Sequence, residues 1–198
     1  MKIAIYGGAF NPVHIGHIEL VKQLNKNFCF NKILIIPSKF SPHKSNENLI
    51  SEKHRLNMCK LSFASINNCE ISDIEINRDE ISYTVDTLQE LKKIYTNDEL
   101  FIICGSDMFL SLLTWRNPEE IFKLASIIGF KRAGESEEKM VEFQNKLALK
   151  GAKSCICIVD IPPFSSTIVR DAVKNKKNFQ QYVTDEVYNY IKTHNLYL

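Results

Sequence analysis

Residues 7–17 combine glycines, a proline and two histidines in one short stretch, Gly7-Gly8-Ala9-Phe10-Asn11-Pro12-Val13-His14-Ile15-Gly16-His17. A short apolar run precedes them and a helical pattern follows, so the stretch joins the end of a strand to the start of a helix. Backbone N–H groups at a helix N-terminus lack partners, and the helix dipole is positive there. Glycines allow close approach of an anion, and imidazoles add donors or charge. The stretch therefore predicts a phosphate-binding loop.

The rest of the chain alternates short apolar runs with longer helical patterns. Predicted strands cover 2–6, 32–37, 69–76, 100–104, 126–131 and 155–161. Predicted helices cover 15–27, 51–65, 85–95, 118–124 and 137–150, and two more close the chain, from about 167 and over 185–194, the last with Thr184 as its N-cap. Trp115 lies in a predicted loop after Gly105-Ser106-Asp107. This alternation favours an α/β fold of the Rossmann-like class, a doubly wound parallel sheet with helices on both faces. We expect one domain over 1–198, with the last two helices (about 167–198) as a C-terminal helical subregion.

A second helix start, more than a hundred residues later, is rich in hydroxyl groups: Phe164-Ser165-Ser166-Thr167-Ile168-Val169-Arg170. Ser and Thr are favoured at helix starts for local reasons, so an N-cap cluster is one explanation of the hydroxyls. Arg170 lies one turn into the helix, on the same side. Backbone N–H groups, hydroxyls and a guanidinium together form a cradle for a polyanion, and we expect a second phosphate site here.

Four segments follow directly after predicted strands: 7–17, 38–44, 105–109 and 165–170. The carboxyl ends of parallel strands lie at one edge of a sheet, where ligands of open α/β sheets bind. Segments far apart in sequence are therefore expected to converge on one site.

His14 and His17 are three residues apart at the start of a helix, so both rings share one face and can reach one phosphate. Metal binding and simple packing are the alternatives. No Cys or carboxylate accompanies the pair at ligand spacing, and we predict no metal site formed by protein side chains. Gly7-Gly8 does not continue into the G-x-G-x-x-G fingerprint, which argues against a dehydrogenase. Phe10 either fills the core or contacts the ligand.

Four further side chains near this edge have two explanations each. Lys44, which follows Pro42-His43, is either solvated or a phosphate contact, and Arg132 is either a surface residue or a phosphate contact. Trp115, the only tryptophan, is either a core anchor or a platform on which a flat heterocycle stacks. Asp107 either caps a helix or accepts hydrogen bonds from ribose hydroxyls.

The composition is that of an ordinary soluble globular protein, with 44% hydrophobic residues, 24% charged residues and a net charge of +2. No apolar run approaches the ~20 residues of a membrane helix, and the small positive charge does not predict a nucleic-acid surface. The six cysteines show no C-x-x-C spacing and mostly lie in apolar segments. We therefore expect reduced, buried thiols and a cytoplasmic protein that binds neither membrane nor nucleic acid. The oligomeric state stays open, a homo-oligomer included.

The two phosphate motifs, H-x-G-H and S-S-T-x-x-R, are shared by the nucleotidyltransferase superfamily, and Tyr83-Thr84 and Thr114-Trp115 narrow the match. With these segments the chain resembles the bacterial nicotinate-nucleotide adenylyltransferases from Lys2 to Leu198. The resemblance also covers Ile36-Pro37-Ser38, Pro42-His43-Lys44, 81–88, 104–107, 187–191 and Leu196-Tyr197. Ala9 stands where Thr or Ser is more usual, so phosphate contact there is through the backbone alone, and Phe164 stands where Ile is usual.

The resemblance implies a role for each site residue. His14 and His17 are the implied catalytic residues, which hold the ATP phosphates at the reacting centre. The implied ATP-binding residues are Gly7, Gly8, Phe10, Gly16, Gly105, Asp107, Ser166, Thr167 and Arg170. The implied substrate-binding residues are Asn11, Lys44, Thr84, Trp115 and Arg132, with Trp115 stacking on the pyridine ring.

The implied reaction is attack of the 5′-phosphate of nicotinate mononucleotide on the α-phosphorus of ATP, which gives deamido-NAD and pyrophosphate. A phosphate monoester is already ionised, because its second pKa is near ~6, so no general base is needed. Catalysis is then positioning plus electrostatic stabilisation of the α-phosphoryl oxygens. Mg²⁺ is expected to bridge ATP oxygens rather than occupy a protein cage.

Three alternatives are weighed against this interpretation. A sister nucleotidyltransferase, such as a phosphopantetheine adenylyltransferase, fits the shared motifs but not Trp115 or Tyr83-Thr84. A class I aminoacyl-tRNA synthetase shares H-I-G-H, but no K-M-S-K-S is present and the length leaves no anticodon-binding domain. A non-catalytic nucleotide-binding module is disfavoured because both histidines are present. The sequence leaves open the preference for nicotinate or nicotinamide mononucleotide.

Overall fold

The computed structural model describes residues 1–39, 49–79, 81–132 and 137–198, and of Arg132 it describes only the backbone. Parallel strands and helices alternate along these residues. Within these residues the strands are β1 (Lys2–Gly8), β2 (Lys32–Pro37), β3 (Cys69–Ile71), β4 (Glu99–Gly105), β5 (Ala125–Arg132) and β6 (Ser154–Val159). The α-helices are α1 (Ile15–Phe28), α2 (Glu52–Phe63), α3 (Thr84–Ile94), α4 (Ser106–Leu110), α5 (Pro118–Leu124), α6 (Glu137–Leu149), α7 (Ser166–Lys174) and α8 (Asp185–Thr193).

The sheet has the strand order β3-β2-β1-β4-β5-β6, so parallel β1 pairs with β2 on one side and with β4 on the other. The chain builds β1, β2 and β3 in one direction and then returns to place β4 beside β1. The connections after β1 and β4 therefore leave toward opposite faces, and a crevice forms between the carboxyl ends of these strands. The predicted Rossmann-like, doubly wound class is confirmed.

Neighbouring residues of the central strand pack against different helix layers. Ala4 of β1 lies in a cluster with apolar residues of α1, α2, α7 and α8, whereas Ile3 and Ile5 pack with residues of α3, α5 and α6. Because helices cover both faces, the strand is apolar at successive positions instead of alternating with polar residues. The two closing helices share the first cluster with the sheet, through fully buried side chains such as Val169 and Val187.

The segment after β4 is a short helix and a 3₁₀ turn at Leu112–Thr114, where the sequence predicts a loop. The ring of Phe109 packs directly on β5, since a Cβ at Gly129 would lie 2.5 Å from a ring carbon. A helix of five residues is not stable alone, so this tertiary contact stabilises it.

Two further expectations are wrong in part. The third strand ends at Ile71, not at residue 76, because the chain leaves the sheet and turns, with Asn77 N donating to Asp73 O at 3.0 Å. The buried-thiol expectation fails at Cys29, an exposed residue with φ 51° that ends α1 in the left-handed region. All six thiols are free, three of them buried and two half-buried.

The helix boundaries otherwise lie within two residues of those predicted. The predicted N-cap of α8 is confirmed, because Thr184 Oγ1 accepts a hydrogen bond from Val187 N at 3.4 Å. In the described part of the chain, no helix has the length and apolar character needed to cross a membrane.

Candidate active site

The two histidines lie side by side at the start of α1. His14 is the N-cap, with extended backbone, and its N–H donates to His17 Nδ1 at 3.1 Å. Because Nδ1 accepts this bond, the proton of a neutral His17 ring lies on Nε2. The ring centroids are 3.7 Å apart, and the planes are inclined by 34°. Both imidazoles therefore share one face at a helix N-terminus, as the sequence predicts.

Gly16 makes room for this arrangement. A Cβ there would lie 3.0 Å from two atoms of the His14 ring and 3.4 Å from Pro162 O. Gly16 therefore allows α1 to approach the segment that precedes α7. This close packing by itself explains why a glycine occupies the position.

Phe10 supports the loop from the core side. Its side chain is buried, its φ is 45°, and its ring packs edge-on against Tyr6 and His17 at centroid distances of 5.5 and 5.1 Å. The core alternative for the Phe10 side chain is therefore supported. A Cβ at Gly8 would meet this ring at 3.2 Å, whereas at Gly7 the nearest atom is 4.0 Å away.

The hydroxyl-rich start of α7 contacts the first motif directly. Ser166 Oγ donates to Pro12 O at 2.7 Å, and Arg170 Nη1 donates to Asn11 O at 2.8 Å. Arg170 Nη2 also donates to Thr167 Oγ1 at 3.1 Å. Only Ser165 acts as the N-cap, through a bond from Ile168 N. The N-cap explanation therefore accounts for one hydroxyl of three, and the predicted convergence of the two motifs is observed.

Asp107 lies at the carboxyl end of β4, the strand across the crevice from the first motif. Gly105 is the N-cap of α4, and no side chain caps this helix. The carboxylate of Asp107 is exposed in the first turn. The capping alternative is not observed, so the carboxylate is available to a ligand.

Tyr83-Thr84 and Thr114-Trp115, the two segments that narrow the family resemblance, lie close together in the structure. Thr84 begins α3, and Tyr83 is its N-cap. The Arg116 guanidinium lies over the Tyr83 ring at 4.6 Å from the centroid, and its Nη1 is 3.8 Å from Asp86 Oδ2. The residue after Trp115 therefore reaches the first turn of α3, and sequence reasoning did not single it out.

Trp115 itself is mostly enclosed by protein. Its side chain belongs to the cluster on the α3 face with a residue exposure of 8%, and Nε1 donates to Ser111 Oγ at 3.2 Å. The core-anchor alternative thus describes most of the indole, and only an edge is left for a ligand.

A buried carboxylate supports the segment before α3. Thr87 Oγ1 donates to Glu75 Oε1 at 2.9 Å and accepts from Arg78 Nη1 at 3.3 Å. Arg78 Nη2 also pairs with Glu90 at 2.7 Å. Burial raises the pKa of Glu75, while the Thr87 bond and the Arg78 charge oppose that rise. No sequence pattern pointed to this group.

Arg55 is a buried cation directly behind the first motif. It is 1% exposed, and Nη1 donates to Ala9 O at 2.8 Å and to Ser38 O at 2.6 Å, while Nε donates to Ile50 O at 3.2 Å. Burial lowers the pKa of the guanidinium. The side chain thus ties the loop after β1 to the end of β2, and it too was missed because it occupies an ordinary helical position in the sequence.

Three residues predicted to bind the substrate remain, namely Lys44, Arg132 and Asn11, and only Asn11 has a described side chain. Lys44, with Pro42 and His43, lies outside the described residues, and of Arg132 only the backbone at the carboxyl end of β5 is described. Asn11 is 4% exposed, and its Oδ1 accepts from Tyr197 Oη at 3.0 Å and from Ile50 N at 3.4 Å. The Asn11 oxygen is therefore engaged within the protein.

The chain matches the cytidylyltransferase-like family model over residues 5–172. It is 38% identical over 198 residues to a probable nicotinate-nucleotide adenylyltransferase of Carboxydothermus hydrogenoformans, covering 99% of this chain and 98% of the relative. It is 33% identical over 198 residues, with the same coverage, to the nicotinate-nucleotide adenylyltransferase of Bacillus subtilis. The fold is similar to that of the Plasmodium falciparum nicotinic acid mononucleotide adenylyltransferase complexed with NaAD, with a TM-score of 0.81, 20% identity and coverage of 99% and 97%. The chain belongs to the nicotinate-nucleotide adenylyltransferase family, within the cytidylyltransferase-like proteins.

Proposed function

We propose that this adenylyltransferase joins nicotinate mononucleotide to ATP, giving nicotinate adenine dinucleotide and pyrophosphate for NAD biosynthesis. The observation that carries the proposal is the contact between the two motifs, Ser166 with Pro12 O and Arg170 with Asn11 O, beside the His14–His17 pair. This contact assembles donors from two distant segments into one anion site at the crevice. The names of the curated relatives support the choice of substrates.

The reaction needs position and charge more than proton transfer. The mononucleotide phosphate is ionised at neutral pH and attacks the α-phosphorus in line with the departing pyrophosphate. The P–O bond to the β-phosphate breaks as the new P–O bond forms, and pyrophosphate leaves with the electron pair. In this proposal His14 and His17 donate to the α-phosphoryl oxygens as charge develops there, which their shared face at the N-terminus of α1 supports.

ATP occupies the crevice between β1 and β4 in this proposal. Among the described residues Arg170 uses two of its five guanidinium donors, on Asn11 O and Thr167 Oγ1, and in this proposal the remaining donors bind the outer phosphates. Ser166 and Thr167 lie at the same helix start, and Asp107 accepts hydrogen bonds from the ribose hydroxyls. The backbone of Gly7, Gly8 and Phe10 lines the phosphate side. Gly16 allows α1 to approach the segment before α7, and Gly105, where a Cβ would meet the Phe130 ring at 3.3 Å, is the N-cap of α4.

The mononucleotide binds near the joined segments of Tyr83-Thr84 and Trp115-Arg116. Thr84 and the exposed edge of Trp115 contact the pyridine ring, and the Arg116 cation favours a ring that carries a carboxylate. Asn11, Lys44 and Arg132 complete the phosphate side of this substrate.

ATP would carry Mg²⁺ into the site. Within the described residues no three His, Cys, Asp or Glu side chains come together as a metal site, and the donors that Mg²⁺ prefers are phosphate oxygens and waters. Bound to ATP, the ion neutralises phosphate charge, and the protein residues supply orientation. The free thiols of all six cysteines favour a reducing compartment, so we place the reaction in the cytoplasm.

Initial rates of pyrophosphate release test the proposal. With ATP and Mg²⁺, we expect turnover with nicotinate mononucleotide and a lower kcat/KM with nicotinamide mononucleotide. Phosphopantetheine serves as the matched competing acceptor, because a sister enzyme of the same fold uses it. Release of pyrophosphate with phosphopantetheine alone, or with none of the acceptors, would contradict the proposal.

Arg170→Ala is expected to raise KM for ATP and Kd for pyrophosphate roughly ten- to a hundredfold, because hydrogen bonds to charged groups contribute about 1.5–3 kcal/mol. The KM for the mononucleotide should change little. Arg170→Lys keeps the charge but not the two-pronged contact with Asn11 O and Thr167, so its ATP affinity should be intermediate.

Lys174→Ala is the control, since it removes an exposed cation from the last turn of the same helix. Equal weakening of both substrates by Arg170→Ala, with a large fall in melting temperature, would show instead that the bond to Asn11 O mainly stabilises the fold.

A further inference from the structure

The C-terminal tail reaches the first motif through Tyr197, the penultimate residue. Its hydroxyl donates to Asn11 Oδ1 at 3.0 Å across 186 residues of sequence. The tail is folded back on α8, with Leu196 N donating to Ile191 O at 3.1 Å and the Leu196 side chain in the core. Asn195 and Tyr197 both have left-handed backbone, with φ 50° and 66°. Non-glycine residues adopt this region at a cost, which is met when surrounding contacts fix the conformation.

Three carbonyls of the loop at 9–12 accept hydrogen bonds from side chains of other segments. Arg55 of α2 binds Ala9 O, while Arg170 and Ser166 of α7 bind Asn11 O and Pro12 O. Tyr197 contacts the Asn11 side chain. The loop forms neither helix nor strand, so these hydrogen bonds from other segments hold its conformation.

Two donors converge on the same atom of Asn11. Tyr197 Oη and Ile50 N both donate to Oδ1, so the carbonyl end of the amide is fixed and Nδ2 lies at its opposite end. Burial raises the pKa of the Tyr197 phenol, even though Arg170 and Arg55 nearby act against that rise. The hydroxyl accordingly remains a proton donor at neutral pH.

We propose that Tyr197 is a positioning residue of the adenylyl-transfer site, which fixes the Asn11 amide and thereby the peptide whose carbonyl orients Arg170. This inference rests on the proposed function. In this proposal Tyr197 is part of the phosphate site and acts through Asn11.

Tyr197→Phe tests the proposal, because it keeps the half-buried ring and removes one oxygen atom. We expect kcat/KM to fall about three- to tenfold, the scale of one hydrogen bond, for ATP, whose phosphates Arg170 binds, and for the mononucleotide, which Asn11 contacts. In an Asn11→Ala background the same substitution should have no further effect, since the two residues act through one contact.

Tyr190→Phe is the matched control. It also removes a tyrosine hydroxyl of the C-terminal region, one that bonds His54 and Asn57 and lies outside the loop at 9–12. We expect it to leave the kinetics unchanged. Wild-type kinetics in Tyr197→Phe, or equal losses in both variants that follow their melting temperatures, would overturn the positioning role.

A direct titration with ATP separates this inference from the proposed function. If the wild-type protein fails to adenylylate nicotinate mononucleotide, the proposed reaction is wrong. A several-fold weaker ATP Kd in Tyr197→Phe than in Tyr190→Phe would still support the positioning role, and equal Kd values would overturn it.

Discussion

His17→Ala is expected to lower kcat about 10²- to 10³-fold while changing KM for ATP much less. A donor aimed at charge that develops on the α-phosphoryl oxygens acts in the transition state, and the loss of one such donor has this typical cost. His17 is suited to the role because Nδ1 accepts from the backbone of His14, which directs the proton of the neutral ring to Nε2. The measurement is the steady-state rate of pyrophosphate release with both substrates varied.

Two amide variants separate the chemical role of His17 from its role at the helix start. Asn at this position keeps an acceptor for the His14 N–H but has no donor at the distance of Nε2. Gln places an amide donor near that distance. We expect His17→Asn to keep the melting temperature and lose kcat, and His17→Gln to recover part of kcat.

His194→Asn is the control, because His194 is an exposed histidine that follows α8. Its kinetics should be those of the wild type. A kcat within a few-fold of wild type in His17→Asn would remove His17 from the catalytic residues.

The strands and most helix boundaries could be predicted because they depend on local patterns. Apolar periodicity and the hydroxyl caps before α7 and α8 are set by residues within one or two turns. Parallel pairing then follows from the alternation of strands and helices, and it places the carboxyl ends of all the strands, those of β1 and β6 included, at one edge of the sheet. The meeting of the two motifs was predictable for this reason, without knowledge of any individual contact.

Other features could not be predicted because partners distant in sequence determine them. Arg55 lies among ordinary helical residues in the sequence. Its role in the fold depends on Ala9 O and Ser38 O, which accept its hydrogen bonds. The helix α4 depends on the packing of Phe109 against Gly129. The local sequence around Tyr197 gives no sign of a contact with Asn11, which forms because the tail folds back toward the loop. In each case the decisive contact joins segments that no local pattern relates.

For Trp115, a candidate site residue, the core role and the substrate role are compatible although the sequence presents them as alternatives. Most of its indole is packed in the core, yet the next residue reaches the first turn of α3, where Thr84 lies. An aromatic residue at the base of a binding crevice can serve as both anchor and contact. Because most of the indole is buried, we expect substitution of Trp115 to change the stability of the fold more than the binding of substrate.

Trp115→Ala is expected to lower the free energy of unfolding by about 3–5 kcal/mol, the usual cost of truncating a buried tryptophan, and to leave Ser111 Oγ without its donor. Denaturant titration measures this loss. Trp115→Phe should be much less destabilising, because it keeps an aromatic ring in the cluster, and so it reports the substrate role separately. In this variant we expect KM for nicotinate mononucleotide to rise several-fold while KM for ATP stays the same.

The fluorescence of Trp115 gives an independent readout of substrate contact, since it is the only tryptophan of the chain. We expect nicotinate mononucleotide to quench the emission as the pyridine ring meets the exposed edge of the indole. Pyrophosphate alone is the control ligand, because it occupies the phosphate side near Arg170 and should leave the emission unchanged. No quenching by the mononucleotide, together with an unchanged KM in Trp115→Phe, would leave Trp115 as a core anchor only. Pyridine recognition would then rest on Thr84, which begins α3, and on Arg116, which lies over the ring of the neighbouring Tyr83.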